Sequence, residues 1–186
     1  MLSGAWAADQ AALRAPDALA ALDIDLVLGS KAVSVDVRKQ EVVVSGGRRL
    51  PYGDLVIATG LAPRRLGAFD GLAGAHVLRT LDDVARLRGE LLAAERLIVL
   101  GAGVLGCEIA ATGRQLGLGV TVVDPAPVPM GAQVGPEIGA LLAELHRANG
   151  VEVLTGTKAE APVVTNGRIT EVLTSAGLVT ADGTAG

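Results

Sequence analysis

The feature that most constrains the fold of this chain is a glycine-rich turn between an apolar run and a helix-compatible stretch. The segment "VLGAGVLGCEIAATG" at residues 99–113 carries Gly101, Gly103 and Gly106 in a G-x-G-x-x-G pattern. A buried strand that enters a helix through such a turn is typical of a dinucleotide-binding βαβ unit. Because the chain contains 25 glycines, the pattern needs support from its flanking segments.

The order of segments after residue 95 provides that support. The segment "RLIVL" predicts a short buried strand, "VLGCEIAATGRQLG" a helix that ends near Gly117, and "GVTVVD" a second strand. A further helix is expected to have Pro136 in its first turn and Gly150 at its end, and "VEVLTG" follows as a third strand. We therefore predict an α/β fold with a parallel βαβαβ sheet over residues 96–155, that is, a Rossmann-like NAD-binding domain.

This pattern assigns a role to each residue of the turn. Gly101 permits the tight turn, Gly103 lets the backbone approach a pyrophosphate, and Gly106 lets the helix and the strand pack closely. Val104 and Leu105 open the helix, where backbone N–H groups and a partial positive charge favour phosphate. We expect these five residues to bind the dinucleotide.

Asp124 indicates which dinucleotide the turn accepts. It ends the second predicted strand, where its carboxylate can accept hydrogen bonds from a ribose diol. The same carboxylate repels a 2′-phosphate, and the following "PAPVPMGAQ" contains no lysine or arginine that would bind one. The sequence therefore favours NAD(H) over NADP(H).

The segments outside the βαβαβ unit predict mainly short strands. Residues 9–22 suggest an alanine-rich helix broken at Pro16, and residues 26–58 a strand meander with a hairpin turn at Ser45–Arg48. The meander is expected to end in a buried strand, "DLVIATG". "RITEVLTSAGLVTADG", which starts at Arg168, predicts a final hairpin.

Residues 81–93 are predicted to form a helix that connects the two halves of the chain. Thr80 is expected to be its N-cap, and Asp83, three residues later, completes a pattern close to a capping box. Leucines and a valine follow at helical spacing, which favours one apolar face.

Composition excludes several classes of function. Only 2% of the residues are aromatic and the net charge is −4, which argues against nucleic-acid binding. Cys107 is the one cysteine, so no internal disulfide can form, a cytoplasmic location is expected, and packing is the favoured role for this thiol. Two distant histidines give no metal site, and neither a signal peptide nor a membrane span is predicted.

Four segments carry a resemblance to a known family: "GRRLPYGDLVIATGLAPRRL", "HVLRTLDDVARLR", "LIVLGAGVLGCEIAATGRQLGLGVTVVD" and "LLAELHRANGVEVLTGT". In their order and spacing, the chain resembles the FAD-dependent pyridine nucleotide oxidoreductases from about residue 2 to its end. The resemblance is to the branch of ferredoxin, rubredoxin and putidaredoxin reductases. A C-x-x-C motif, as in the thioredoxin reductase type, is absent from the NAD half.

The resemblance implies residues for both cofactors. In the family, the segment matching "ATGLAPR" ends a strand of the FAD domain, which puts Thr59 and Gly60 against FAD and Arg64 in contact with it. Ala32 matches a strand residue beside the adenine of FAD. Glu108 matches an acid near the nicotinamide of NAD(H), although the residues alone equally fit a surface acid in the first helical turns.

The family's reaction implies a hydride passed from NADH to FAD and electrons passed singly to a ferredoxin or another iron–sulfur protein. The protein's share would be positioning, so we predict no catalytic acid, base or nucleophile. The flavin domain of an NADH-dependent nitrite reductase has similar motifs. A non-enzymatic NAD-binding module and an inactive remnant also remain open, as do the electron acceptor and the oligomeric state.

The family pattern also predicts the domain organisation. Residues 1–80 match an incomplete portion of an FAD domain, a β-meander without its own glycine motif. Residues 94–186 match an NAD-binding Rossmann domain that lacks its closing strand, and residues 81–93 are the connecting helix. We therefore interpret the chain as a fragment of a longer protein or as a truncated gene product, with an exposed sheet edge.

Overall fold

A computed structural model of the chain describes residues 1–181. The chain packs into two compact units: a smaller one, Ala12–Leu61, and a larger one formed by Met1–Ala11 together with the chain from Ala62 onward. The assignment of residues 1–80 and 94–186 to two cofactor domains stays a prediction. Two residues of the predicted final hairpin, Asp182 and Gly183, lie outside the described residues.

The smaller unit contains the predicted strand meander. Its strands are β1 (Ala32–Asp36), β2 (Glu41–Val44) and β3 (Arg49–Pro51), and its helix is α1 (Pro16–Ala20). The strands pair antiparallel in the order β1-β2-β3, and the hairpin turn between β2 and β3 confirms the prediction at Ser45–Arg48.

The helix predicted over residues 9–22 is wrong in extent. Asp9–Ala11 forms one turn of 3-10 helix, and the α-helix covers only Pro16–Ala20. Proline disfavours the helical conformation in the residue before it, and Ala15 is accordingly extended, with ψ of 151°. A helix can therefore begin at Pro16 but does not continue through it.

The prediction of a buried strand at "DLVIATG" is also wrong. Residues 54–60 belong to no strand, and the side chains of Val56 and Ile57 are 86% and 74% exposed. A strand needs a hydrogen-bonded neighbour, and within the described residues β1, β2 and β3 pair only with one another. The segment therefore has the composition of a strand, but within the described residues no neighbouring strand pairs with it.

The larger unit contains the predicted βαβαβ arrangement. Its three strands are parallel and adjacent in the order β4-β5-β6, which confirms the Rossmann-like sheet. Regular helix geometry in α4 is interrupted at Gly135, so that Pro136 opens the main part of the helix as predicted. The elements are α2 (Leu81–Leu91), β4 (Arg96–Leu100), α3 (Val104–Gln115), β5 (Gly119–Asp124), α4 (Gly131–Ala148) and β6 (Val151–Thr155).

A second, antiparallel sheet covers part of the other face of the parallel sheet. It comprises β7 (Ala159–Thr165), β8 (Arg168–Thr174) and β9 (Gly177–Thr180). Ile169 and Val172 of β8 are buried in one cluster with Phe69, and Ile98 of β4 packs against that cluster. The β8–β9 hairpin was predicted, whereas β7 was not, because Pro162 interrupts its sequence and favours a loop.

The main core lies between the parallel sheet and the helices. Alternate residues of the strands are buried there, among them Val99, Val120 and Val153, together with Ala110 of α3 and Ala143 of α4. Small residues on the helices let them approach the sheet closely. No helix among residues 1–181 combines the length and the apolar character needed to cross a bilayer.

Helix α2 begins with the predicted capping box. The Asp83 amide donates to the Thr80 hydroxyl at 3.2 Å, and the Asp83 carboxylate accepts from the Thr80 amide at 2.8 Å. The backbone hydrogen bond from Thr80, helped by its side chain, holds the pKa of Asp83 well below the ordinary value of 3.8. The carboxylate therefore stabilises the helix start only while it is ionised.

We expect Asp83→Asn to lower the free energy of unfolding at neutral pH. Because the pKa of Asp83 is depressed in the folded chain, its contribution is complete above the unfolded value of 3.8 and is lost as the pH falls through the folded value. Urea unfolding at pH values from about 7 down to about 2 measures this difference. Asp82→Asn, outside the capping box, is the control; a constant difference between wild type and Asp83→Asn would contradict the prediction.

Candidate functional site

The candidate site is the turn between β4 and α3. Gly101 has φ of 115°, in the region that favours glycine, and its amide donates to the Val123 carbonyl oxygen at 2.9 Å. Gly103 is the N-cap of α3, and no side chain caps the helix there. The first amides of α3 therefore have no partner within the helix, which is the arrangement that binds anions.

Two glycines of the turn have different surroundings. A Cβ atom at residue 106 would collide with the backbone carbonyl oxygen of Gly101, so only glycine lets α3 approach the end of β4. A Cβ atom at residue 103 would meet nothing within 4 Å. The space above Gly103 is therefore open, and the turn fits a pyrophosphate lying against its backbone.

The structure brings Asp124 to this turn. One carboxylate oxygen accepts a hydrogen bond from the Ala102 amide at 2.6 Å, and the other accepts from the Ala126 amide at 2.7 Å. These bonds fix the carboxylate beside the glycines, and each oxygen keeps a lone pair for a further donor. The arrangement can hold a diphosphate and a vicinal diol next to each other.

The remaining residues predicted for this site lie along the start of α3. Val104 and Leu105 are about half exposed, at 48% and 47%, and Glu108 is exposed on the same helix. Cys107 is buried, with its sulfur 3.5 Å from the Ala102 carbonyl oxygen. Burial raises the pKa of this thiol, and the charges of Asp124 and Glu108 raise it further, so the thiolate is disfavoured.

The residues predicted to contact FAD are exposed. Ala32 and Thr59 line one groove of about 280 Å³ in the smaller unit, between β1 and the unpaired segment 55–59. Gly60 has φ of 72°, and Arg64, in the larger unit, is exposed. The structure thus brings two of these residues, Ala32 and Thr59, to the same groove.

The loop after Asp124 contacts the glycine turn, and the sequence analysis did not predict this contact. "PAPVPM" predicted only an interruption between strand and helix, yet the Met130 amide donates to the Ala102 carbonyl oxygen at 2.9 Å. Pro129 beside it is completely buried. The three alternating prolines before Gly131 are the one sequence signal of a fixed loop conformation.

A larger cleft lies elsewhere on the same unit. It has a volume of about 550 Å³ and is lined by residues at the starts of the parallel strands, including Arg96, Gly119 and Glu152, and by β9. Ligands of parallel α/β sheets bind at the carboxyl ends of the strands, so the turn after β4 is the better candidate. Within residues 1–181, no three histidine, cysteine, aspartate or glutamate side chains are placed to hold a metal ion.

The chain is similar to known proteins over most of its length. The family described as pyridine nucleotide-disulphide oxidoreductase matches residues 2–184. Putidaredoxin reductase of Pseudomonas putida is 38% identical over 161 residues, which are 84% of this chain and 38% of that protein. The ferredoxin–NAD(+) reductase component of the p-cumate 2,3-dioxygenase system of Pseudomonas putida is 44% identical over 135 residues, 72% of this chain and 34% of that protein.

Solved structures show the same relationship. The crystal structure of the covalent putidaredoxin reductase–putidaredoxin complex matches with a TM-score of 0.89 and 36% identity, over 97% of this chain and 45% of that one. A ferredoxin reductase from Rhodopseudomonas palustris matches with a TM-score of 0.85 and 32% identity, over 91% of this chain and 42% of that one. The chain therefore spans less than half the length of these relatives.

Proposed function

The chain belongs to the pyridine nucleotide-disulphide oxidoreductase family, and from this premise we propose that it is part of an NADH-dependent, FAD-containing reductase. This reductase passes hydride from NADH to FAD and electrons to a ferredoxin-type protein. The observation that carries the proposal is the turn in which Gly106 lies against Gly101 while Asp124 is bonded to the backbone between them. That geometry supports a dinucleotide site at the end of β4.

In this proposal the turn binds NADH through its backbone. The amides at Gly103, Val104 and Leu105 take the pyrophosphate, and Asp124 accepts hydrogen bonds from the adenine ribose. Glu108, which is exposed on α3, would lie near the nicotinamide. The loop after Asp124 offers no cation for a 2′-phosphate, which supports a preference for NADH over NADPH.

FAD binding is proposed for residues 1–80, with 94–186 as the NAD-binding domain and 81–93 as their connection. Ala32, Thr59, Gly60 and Arg64 would contact the cofactor, and the planar guanidinium of Arg64 suits a phosphate. Bound FAD would accept hydride from NADH and release electrons one at a time. The chain's own residues then bind and orient, and none of them is needed as an acid, base or nucleophile.

The proposed electron acceptor is a ferredoxin or another iron–sulfur protein. Several relatives are named as reductases of such carriers: putidaredoxin reductase and the ferredoxin–NAD(+) reductase components of dioxygenase systems. A cytoplasmic location accords with a single, buried cysteine.

The proposal is tested by spectroscopy and titration of the purified 186-residue chain. We expect NADH to bind more tightly than NADPH, because Asp124 disfavours a 2′-phosphate. We also expect a yellow protein, after addition of FAD where needed, whose flavin absorbance is bleached by NADH and restored by an oxidised ferredoxin. The control is Asp70→Asn, which changes an exposed carboxylate remote in sequence from the turn and should leave the affinity for NADH unchanged.

The other outcomes separate the alternatives. A colourless chain that still binds NADH would be a bare NAD-binding module, and the reductase proposal would then be wrong for this chain. A chain that binds neither NADH nor FAD would contradict the dinucleotide site itself.

A further inference from the structure

Ala102, at the centre of the glycine turn, is hydrogen-bonded to Asp124 and to the loop that follows it. Ala102 is 1% exposed, its amide donates to the Asp124 carboxylate at 2.6 Å, and its carbonyl oxygen accepts from the Met130 amide at 2.9 Å. The turn is thus held from both sides, by Asp124 at the end of β5 and by Met130 in the loop that follows it. Its amides depend on where this loop lies.

Met130 makes its bond from a backbone conformation that is unusual for methionine. Its φ is 52° and its ψ is 20°, the left-handed region, and it is the N-cap of α4. Its carbonyl oxygen accepts from the amides of Gln133 and Val134 at 2.9 and 3.0 Å. The left-handed conformation therefore lets one residue start α4 while its amide reaches Ala102.

The loop has its own support, independent of the turn. Pro129 is completely buried, and a Cβ atom at residue 139 in α4 would lie 2.6 Å from the Val128 side chain and 2.7 Å from the Pro129 carbonyl oxygen. The Gly156 amide, after β6, donates to the Ala126 carbonyl oxygen at 2.8 Å. The loop is therefore held in place by contacts with α4 and with the residue after β6. Its fixed position places the Met130 amide against the Ala102 carbonyl oxygen.

We propose that Met130 is a positioning residue for NADH binding: its left-handed backbone holds the Ala102 carbonyl oxygen and so orients the peptide between Ala102 and Gly103, whose amide is one of those proposed to receive the pyrophosphate. The inference rests on the proposed dinucleotide site. The bond between Met130 and Ala102, however, is present in the chain without NADH, where it can be tested separately. The sequence requirement at residue 130 is then a backbone conformation rather than a side-chain contact with the cofactor.

The test compares side chains that differ in their tolerance of this conformation. Met130→Ile introduces a β-branched residue, which the left-handed region strongly disfavours, whereas Met130→Leu keeps a similar volume without branching at Cβ. Met130→Asn places there a residue that adopts the region readily. In NADH titrations we expect the isoleucine variant to bind about 5- to 30-fold more weakly, the leucine variant within about twofold of wild type, and the asparagine variant no more weakly than wild type.

A merely structural role gives a different result. In that case Met130→Ile lowers the melting temperature while the affinity for NADH stays that of wild type, and the proposal is wrong. Should the isoleucine variant fail to fold, Met130→Thr, which is smaller and also β-branched, replaces it with the same expectation.

Hydrogen exchange separates this inference from the proposed function. In the NADH-free chain, the amide of residue 130 should exchange faster, relative to its intrinsic rate, in Met130→Ile than in wild type or Met130→Leu, because this amide donates the bond to the Ala102 carbonyl oxygen. Unchanged exchange would overturn the inference whether or not NADH binds. If the exchange effect is present but the wild-type chain does not bind NADH, the proposed function is wrong.

Discussion

Gly106→Ala is expected to abolish NADH binding and to lower the free energy of unfolding by about 3 kcal/mol, the upper end of the cost of forcing atoms into a packed site. The added methyl group would collide with the carbonyl oxygen of Gly101, which is backbone and cannot rotate away. Either α3 moves off the end of β4 or the turn itself changes shape. Both responses displace the amides that we propose receive the pyrophosphate.

Urea unfolding and NADH titration of the same samples measure the two effects. Gly89→Ala, on the exposed side of α2 with nothing within 4 Å of the new methyl group, is the matched control. It should stabilise the chain by about 0.5–1 kcal/mol, since alanine is a better helix former, and leave NADH affinity unchanged. Wild-type NADH affinity in Gly106→Ala would contradict a site at this turn.

Gly103→Ala distinguishes ligand contact from folding at the same turn. Its methyl group would point into open space from a residue with φ of −73°, so the free energy of unfolding should fall by no more than about 1 kcal/mol, the cost of alanine at an N-cap. If the pyrophosphate lies against this backbone, NADH affinity falls all the same. Together, the two glycine variants separate the packing requirement from the binding requirement.

Asp124→Ala is expected to weaken NADH binding by about 10- to 100-fold, the range that corresponds to hydrogen bonds made by a charged group. The substitution removes the proposed acceptor for the ribose and also the acceptor of the Ala102 and Ala126 amides. Binding of NADPH should fall less, because the repulsion of its 2′-phosphate disappears with the carboxylate. The ratio of the two affinities therefore moves toward one.

Titrations with NADH and NADPH, run side by side, give that ratio. Asp70→Asn is the control, since this exposed carboxylate pairs with Arg65 and is remote in sequence from the turn. An unchanged preference between the two dinucleotides in Asp124→Ala would show that the carboxylate does not face the ribose.

The parts of the fold that follow from local patterns were predictable. The run from β4 through Gly101–Gly106 to α3 and β5 is encoded in adjacent residues, because apolar strands, helix starts and glycine turns are each local signals. The capping box at Thr80 and Asp83 is local in the same sense and is confirmed. The parallel register then follows from the right-handed connection between such units.

The parts that depend on distant partners were not predictable. "DLVIATG" has the composition of a buried strand, but whether it is one depends on a neighbour that the segment itself does not specify. The bond between Met130 and Ala102 joins two backbones, so it imposes no side-chain pattern beyond the preceding prolines. The predicted contacts of Thr59 and Arg64 with FAD came from family resemblance, and they stay predictions.

The unpaired segment around Val56 and Ile57 affects how any titration of this chain must be read. An exposed apolar stretch that belongs to no strand can pair with its like in a neighbouring molecule. Clustered chains would bury some sites in the assembly, so the fitted stoichiometry would fall below one NADH per chain while the dissociation constant of the accessible sites stayed the same. Light scattering on each sample before titration distinguishes such a loss of active fraction from a true loss of affinity.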